Sequence, residues 1–325
     1  MRRPRRRARP LAALDLARVR TVPLARRQSR VSAEALGRPV RARLAVRELV
    51  AGLPDILAAR DFRVAVARIA AAIRRRRPVV LGMGAHAIKV GLSPLIVDLI
   101  ARGRLAAVAM NGACVVHDFE LAAVGRTSED VGPGLEQGLF GMARETGEFV
   151  NRAVRDGVAA GLGLGRALGD AIVQARLPFR RHSILAAAAA ADVPATVHVA
   201  IGTDIVHMHP SADGAAIGEG SLRDFRLLAA VVARLGGGVY LNLGSAVVLP
   251  EVFVKALNLA RNVGHPVRGL TTMDMDFNRH YRPAVNVVGR PTAGGGVGIQ
   301  LTGHHEIMFP LLWAAVEDAL ARRAR

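Results

Sequence analysis

The sequence predicts an α/β protein, a mostly parallel sheet with helices on both faces, preceded by a helical N-terminal extension. Three observations lead there. After Pro78, short apolar runs of strand length alternate with helical stretches, the pattern of a parallel sheet and its crossover helices. Those runs pass directly into Gly82, Gly84, Asn111, Gly112, Gly202, Asp204, Gly244 or Thr271, at the strand ends where open parallel sheets bind ligands. Before Pro78 the apolar residues recur at helical spacing instead.

Residues 1–30 hold 11 arginines, one acid (Asp15), Pro4, Pro10 and Pro23, and no aromatic residue. They read as a disordered, Arg-rich tail. Three alternatives stay open for it: an arm that neutralises phosphate, a targeting peptide that lacks the apolar run of a secretory signal, or translated GC-rich sequence upstream of the true start.

Residues 31–77 form the helical extension. Val46, Leu49, Val50 and Leu53 repeat at i, i+3, i+4, i+7, and Phe62, Val66, Ile69 and Ile73 do so again. Pro78 stops the second helix, and the four arginines before it suit a helix C-terminus. Residues 78–325 are the α/β domain. Strands are expected at 78–83, 105–110, 195–201, 238–243 and 267–272. Helices are expected at 92–102, 136–160, 166–174, 221–235, 250–262 and 309–322. Residues 294–296 (GGG) read as a flexible loop, and no internal repeat is present.

Composition narrows the function classes. The chain has 325 residues, 51% hydrophobic, enough to bury a sizeable core. Cys114 is the only cysteine, which excludes a disulfide framework and any Cys-based zinc site and agrees with a reducing cytoplasm. No uninterrupted apolar stretch is long enough to span a membrane. The net charge of +19 is confined to the front of the chain: residues 31–77 set 11 arginines against four acids, and the remainder sets 23 cations against 21 acids. A nucleic-acid partner is therefore not expected for the core. Lys89 and Lys255 are the only lysines.

Three segments carry candidate chemistry. The turn 82–87 (GMGAHA) matches the dinucleotide fingerprint, whose glycines let backbone approach a pyrophosphate. The acid expected about 20 residues later is missing, because the next strand ends at Asn111. Alone, the match describes a tight strand-to-helix turn equally well. His207 and His209 lie two apart past the turn 202–204, a spacing that would put both rings on one side of an extended segment. With His117 and Glu306 they make a candidate set for zinc or manganese. The stretch 274–283 (DMDFNRHYRP) brings Asp276 and Arg282 near each other in sequence, a pair able to grip a polar or zwitterionic substrate or to close a salt-bridged surface loop.

Laid out in order, these strand ends resemble the deoxyhypusine synthase family over residues 78–325. The stretch 84–92 (GAHAIKVGL) is similar to the family's first turn. Residues 111–118 (NGACVVHD) stand where it has Thr-Ala-Gly-Gly-Val-Glu-Glu-Asp, and Thr203-Asp204 stands at its Thr-Asp. Residues 243–248 (LGSAVV) resemble its Leu-Gly-Gly-Gly-Val-Val, Leu270-Thr271-Thr272 its Ile-Asn-Thr, and 309–312 (FPLL) its C-terminal Phe-Pro-Leu-Leu. The resemblance implies a Rossmann-like fold, a homotetramer with sites at subunit interfaces, and NAD held at Gly84, His86, Asn111, Gly112, Asp204, Gly244, Ser245, Thr271, Thr272 and His304.

The departures bear on the chemistry. Family members pass a butylamine group through an imine on a lysine that follows Trp-Gly, and the matching stretch here is Val288-Gly289-Arg290. An arginine stays protonated and cannot form that imine. Pro250-Glu251 replaces the family's histidine pair, His117 one of its glutamates, and His304 its nucleotide-holding aspartate. True deoxyhypusine synthesis is therefore not expected. The expected function is an NAD-binding, cytoplasmic, transferase- or oxidoreductase-like enzyme acting on a small amine or amino acid. His117 and Asp118 would be its acid/base pair, with His207, His209, Asp276 and Arg282 as further catalytic or substrate-holding residues. Two alternatives stand beside it: a metal-dependent hydrolase or lyase built on His117, His207 and His209, and a non-catalytic ligand-binding oligomer.

Overall fold

The computed structural model describes residues 11–321. The first ten residues of the expected tail and Arg322, which closes the last expected helix, lie outside the described residues. Of the tail, residues 11–30 bury no side chain and contain two single 3-10 turns, Leu16–Arg18 and Leu24–Arg26.

Two helices follow, α1 (Val46–Gly52) and α2 (Leu57–Arg74). The helical period expected for α2 is the face that is buried: Phe62, Ala65, Val66, Ile69 and Ala72 enter the same core as Phe309, Leu312 and Trp313 near the C-terminus. Burying each large side chain contributes roughly 2 kcal/mol.

The chain then lays down β1 (Val79–Met83), α3 (His86–Lys89), α4 (Ser93–Ala101), β2 (Ala107–Asn111), α5 (Gly112–Val124), α6 (Val131–Glu136), α7 (Arg144–Ala159), α8 (Leu164–Gln174) and α9 (Ile184–Ala190). After these come β3 (Ala195–His198), α10 (Gly214–Ala233), β4 (Val239–Leu243), α11 (Val248–Asn262), β5 (Thr271–Asp276), β6 (Val297–Thr302) and α12 (His305–Ala321). The six strands form one parallel sheet in the order β3-β2-β1-β4-β5-β6. The chain winds outward from β1 to β3, returns to β4 beside β1, and winds outward again, so the Rossmann-like switch point lies between β1 and β4. Alternate residues face opposite layers. Val79, Leu81 and Met83 join the core beneath α2, α4 and α12, whereas Val80 and Tyr240 join Leu228, Val232 and Phe253 of α10 and α11. None of the helices described is long and apolar enough to cross a membrane.

Three expectations need correction, each for a local reason, and one strand was not expected. The helix expected at 136–160 begins only at Arg144, because Gly138 and Gly141 take positive φ (70° and 74°) and break it from α6. The strand expected at 195–201 pairs only as far as His198. The strand expected at 267–272 is displaced to Thr271–Asp276, so that its two aspartates are strand residues rather than loop residues. Buried Asp274 is held there by Asn242 Nδ2 at 2.8 Å and Gln300 Nε2 at 3.4 Å. Finally, β6 follows the glycine run at 294–296, which closes a turn into an edge strand.

Candidate functional site

The carboxyl ends of the strands are drawn together by bonds that continue the ladder one residue into each turn. Gly84 N donates to Leu243 O (3.0 Å), Gly244 N to Met275 O (3.1 Å) and Gly303 N to Asp276 O (3.0 Å). Close packing explains the glycines. A Cβ on Gly82 would meet the Tyr240 hydroxyl at 2.1 Å, and one on Gly84 would meet the Gly244 carbonyl oxygen at 2.3 Å. Gly244 has φ +64°, and its Cβ would lie 2.6 Å from a ring carbon of His305.

That imidazole is fully buried. His305 opens α12, and its Nδ1 lies 2.8 Å from His86 Nδ1, carried by α3 just past the Gly84 turn. Phe277 tilts over both rings, with centroids 5.2 Å from His86 and 5.8 Å from His305. His305 Nε2 has no hydrogen-bond partner. It faces Asp276 Oδ1 at 3.9 Å, and the other oxygen of that buried carboxylate lies 4.0 Å from His280 Nε2. Burial lowers the His305 pKa against the opposing pull of Asp276. Next door, burial pushes Asp274 up to about 6 although Asn242 donates to it.

The expected acid/base pair is not a pair. Asp118 is buried and accepts from Ser183 Oγ (2.6 Å), Ile184 N (2.7 Å) and Leu185 N (3.2 Å), so it anchors the start of α9. His117 turns the other way, to the Thr127 hydroxyl at 2.7 Å, which in turn donates to Glu120. A hydroxyl that donates to the carboxylate accepts from His117 Nδ1–H, which leaves His117 Nε2 unprotonated. Burial, helped by the charge of Lys89, depresses the His117 pKa to about 4. The ring lines a cavity of about 150 Å³ with Lys89, Glu120, Glu129 and Asp204. The Asp204 carboxyl is buried over Gly112, its Oδ2 lacks a partner, and burial raises its pKa to about 6. Short α3 joins the two regions, with His86 at one end and Lys89 at the other.

His207 and His209 do not converge. Residues 205–208 form a 3-10 turn rather than an extended segment. His207 Nδ1 accepts from Gly202 N (3.1 Å) and Asp204 N (3.3 Å), whereas His209 is buried with Nε2 donating to Gly141 O at 3.0 Å. Among the described residues, no group of three or more His, Cys, Asp or Glu is arranged to hold a metal ion, so the metal set of His117, His207, His209 and Glu306 is overturned. Asp276 and Arg282 are also separate, because Arg282 pairs with Glu251 at 3.4 Å. Arg290 donates to Asn286, which itself donates to Glu251. Lys255 pairs with Glu251 on α11.

The expected cofactor residues divide. Gly84, His86, Gly112, Asp204, Gly244 and Ser245 lie at the carboxyl edge. The Asn111 side chain is taken up by capping α5 through Cys114 N at 3.2 Å. Thr271 and Thr272 open β5 at the far end of the strand and are buried. His304 is exposed, stacked on Phe277 and 3.8 Å from Glu306. Its neighbour His305 is the inward-facing ring. The signal for it was periodicity: His305, Phe309, Leu312 and Val316 fall at i, i+4, i+7, i+11 and are all fully buried.

No protein-family model matches the sequence, and no curated protein matches it. Solved structures match at the level of fold. A candidate deoxyhypusine synthase from Entamoeba histolytica superposes with a TM-score of 0.54 at 11% identity, over 87% of this chain and 97% of that one. AgrE in a ternary complex with ornithine and NAD+ gives 0.53 at 17% identity, over 82% of this chain. A conserved candidate LOR/SDH protein from Methanococcus maripaludis S2 gives 0.50 at 14% identity, over 81% of this chain and 70% of that one. The chain spans about a third (34%) of the length of AgrE.

Proposed function

We propose that this chain is an NAD-binding enzyme acting on a small amine or amino acid, without an imine on a lysine of its own. The observation that carries the reading is the carboxyl edge of the sheet, with tight glycine turns at Gly84 and Gly244 at the β1/β4 switch point and, along the same edge, buried polar atoms that lack hydrogen-bond partners. Asp204 Oδ2 is such an atom, a buried acceptor of the kind that ribose hydroxyls satisfy. Gly84, Gly112, Gly244 and Ser245 would pass backbone close to the dinucleotide. When bound, its nicotinamide ring would supply a hydride acceptor.

The absence of a protein imine follows from this chain's own cations. Arg290 is tied to Asn286, Lys255 is ion-paired at the surface, and Lys89 is exposed at the rim of the His117 cavity. None is an amine desolvated in a pocket, the setting that activates a lysine nucleophile. The likeness to AgrE, whose complex holds ornithine and NAD+, supports the choice of an amino-acid or amine substrate. Assembly into a homo-oligomer belongs to the same proposal. It is supported by Phe277, Tyr281 and Ile307, large apolar side chains left exposed near the His86–His305 pair.

Calorimetry of the full chain with NAD, alongside its melting temperature, tests the reading. Saturable heat and a rise in melting temperature are expected. No heat and no shift would overturn it.

A further inference from the structure

Given the amine or amino-acid site proposed above, the geometry points to His86 as its general base, with His305 and Asp276 as the residues that position and charge it. Two imidazole Nδ1 atoms 2.8 Å apart share one proton, so one ring donates and the other accepts. Asp276 decides which. His305 Nε2 is buried, makes no side-chain hydrogen bond and faces the Asp276 carboxylate at 3.9 Å. A bare lone pair there would oppose the buried Asp276 carboxylate, at a cost of about 1–3 kcal/mol. The proton therefore sits on His305 Nε2, and the Asp276 carboxylate and the Met275 carbonyl both favour holding it on that ring. His305 Nδ1 is then an acceptor, and His86 Nδ1–H is the donor. What remains is His86 Nε2, an unprotonated nitrogen on a half-buried ring at the carboxyl edge of the sheet.

The proton balance is simple. The N–H bond of a substrate ammonium breaks, and its electron pair stays on nitrogen as the lone pair of the neutral amine. That proton bonds to His86 Nε2. The His86 Nδ1 proton passes to His305 Nδ1, which leaves His305 as an imidazolium beside the Asp276 carboxylate. No electron is transferred. The charged and titratable groups around this path are Asp276 of β5, His86 of α3, Glu306 on the same helix as His305, Asp274 beside Asp276, and His280 on its other oxygen. Phe277 supplies an apolar cover.

Imidazole nitrogen NMR on the ligand-free full chain tests the assignment without any cofactor. The expected result is His86 as the Nδ1–H tautomer and His305 as the Nε2–H tautomer. In Asp276→Asn the His86 titration midpoint should fall by about one pH unit or more, and Asp276→Glu should restore it. His86 found as the Nε2–H tautomer, or a midpoint unmoved in Asp276→Asn, overturns the proposal. His305→Gln offers a second check, because an acceptor oxygen in place of Nδ1 should preserve the His86 tautomer. These readouts are independent of NAD calorimetry, so failure of the base and failure of cofactor binding give different results.

Discussion

The carboxyl edge of the sheet has two halves with nearly the same chemical vocabulary. Around β2 and β3 stand His117, Asp118, His198, His207, His209 and Asp224. Around β4, β5 and β6 stand His305, Asp276 and Asp274, with His86 reaching across from β1. In the first half almost every polar group is committed to backbone or hydroxyl. Asp118 anchors α9, Asp224 accepts from Gly165 N and Val197 N, His198 meets Thr196, and His209 meets Gly141. In the second half a buried ring nitrogen faces a carboxylate, as His207 Nε2 faces Asp204 Oδ2 at 4.0 Å in the first, but its other nitrogen meets a second ring instead of backbone amides. A histidine or aspartate earns functional interest where folding leaves its hydrogen-bond capacity unspent.

The largest expected effect lies in the first half. Asp118→Ala removes a buried acceptor from three donors and strips the start of α9 of its anchor, at about 3–4 kcal/mol. Urea unfolding measures it. A loss below about 1 kcal/mol would mean that Asp118 is not a structural anchor, and the contrast between the halves would weaken.

Next is Gly84→Ala at the switch point. The new Cβ would press on the Gly244 carbonyl at 2.3 Å, and because both partners are backbone neither can swing away. Overpacking of this kind costs about 2–3 kcal/mol, and the displaced turn should also abolish any calorimetric signal with NAD. A variant of wild-type stability would show that the β1 and β4 turns are not in tight contact.

Much of this architecture was legible in the sequence. The face of α2 follows from the spacing of Phe62, Val66 and Ile69, and the turns at Gly84 and Gly244 follow from glycine at the end of an apolar run, although Gly82 proves to be a strand residue of β1. The rest is hidden from the sequence for physical reasons. The strand 271–276 (TTMDMD) alternates correctly, but aspartates read as loop unless their donors Asn242 and Gln300, distant in sequence, are known. His304 and His305 are adjacent, and only the helical phase with Phe309 and Leu312 separates the inward ring from the outward one. By sequence Asp118 reads as catalytic and Asp204 as cofactor-binding, both as carboxylates close after a strand. The difference is that Ser183, Ile184 and Leu185 arrive to satisfy one of them, whereas Oδ2 of the other makes no hydrogen bond and has His207 Nε2 only at 4.0 Å.

Asp204 is thus the exception in its half, and a pH series sharpens the point. Burial raises its folded pKa from 3.8 to about 6, so the folded state holds the proton more tightly than the unfolded chain. Ionisation then costs stability progressively between pH 4 and 6 and in full above that. Asp204→Asn, which removes the charge, should stabilise the protein by about 2 kcal/mol at pH 8 and change little at pH 4. Thermal melts across that range check it. The same substitution should weaken NAD binding, because it replaces the acceptor oxygen assigned to the ligand with an amide donor.

The smallest effect separates scaffold from site most cleanly. His207 is one of the two rings whose spacing suggested a metal, but its Nδ1 holds the 202–204 turn through two amides in a partly exposed setting. His207→Ala should cost about 0.5–1 kcal/mol at pH 8 and leave the melting temperature shift with zinc the same as in wild type. Burial lowers the His207 pKa, so its folded form is preferentially neutral. The stabilisation it gives is complete above about pH 6.5, its unfolded value, and is lost as pH falls toward the folded one. The variant and wild type should therefore converge in acid, as expected of a ring that serves as an acceptor for backbone. A zinc-dependent stabilisation present in wild type and missing in the variant would return His207 to the metal reading and erase the distinction between the two halves of the edge.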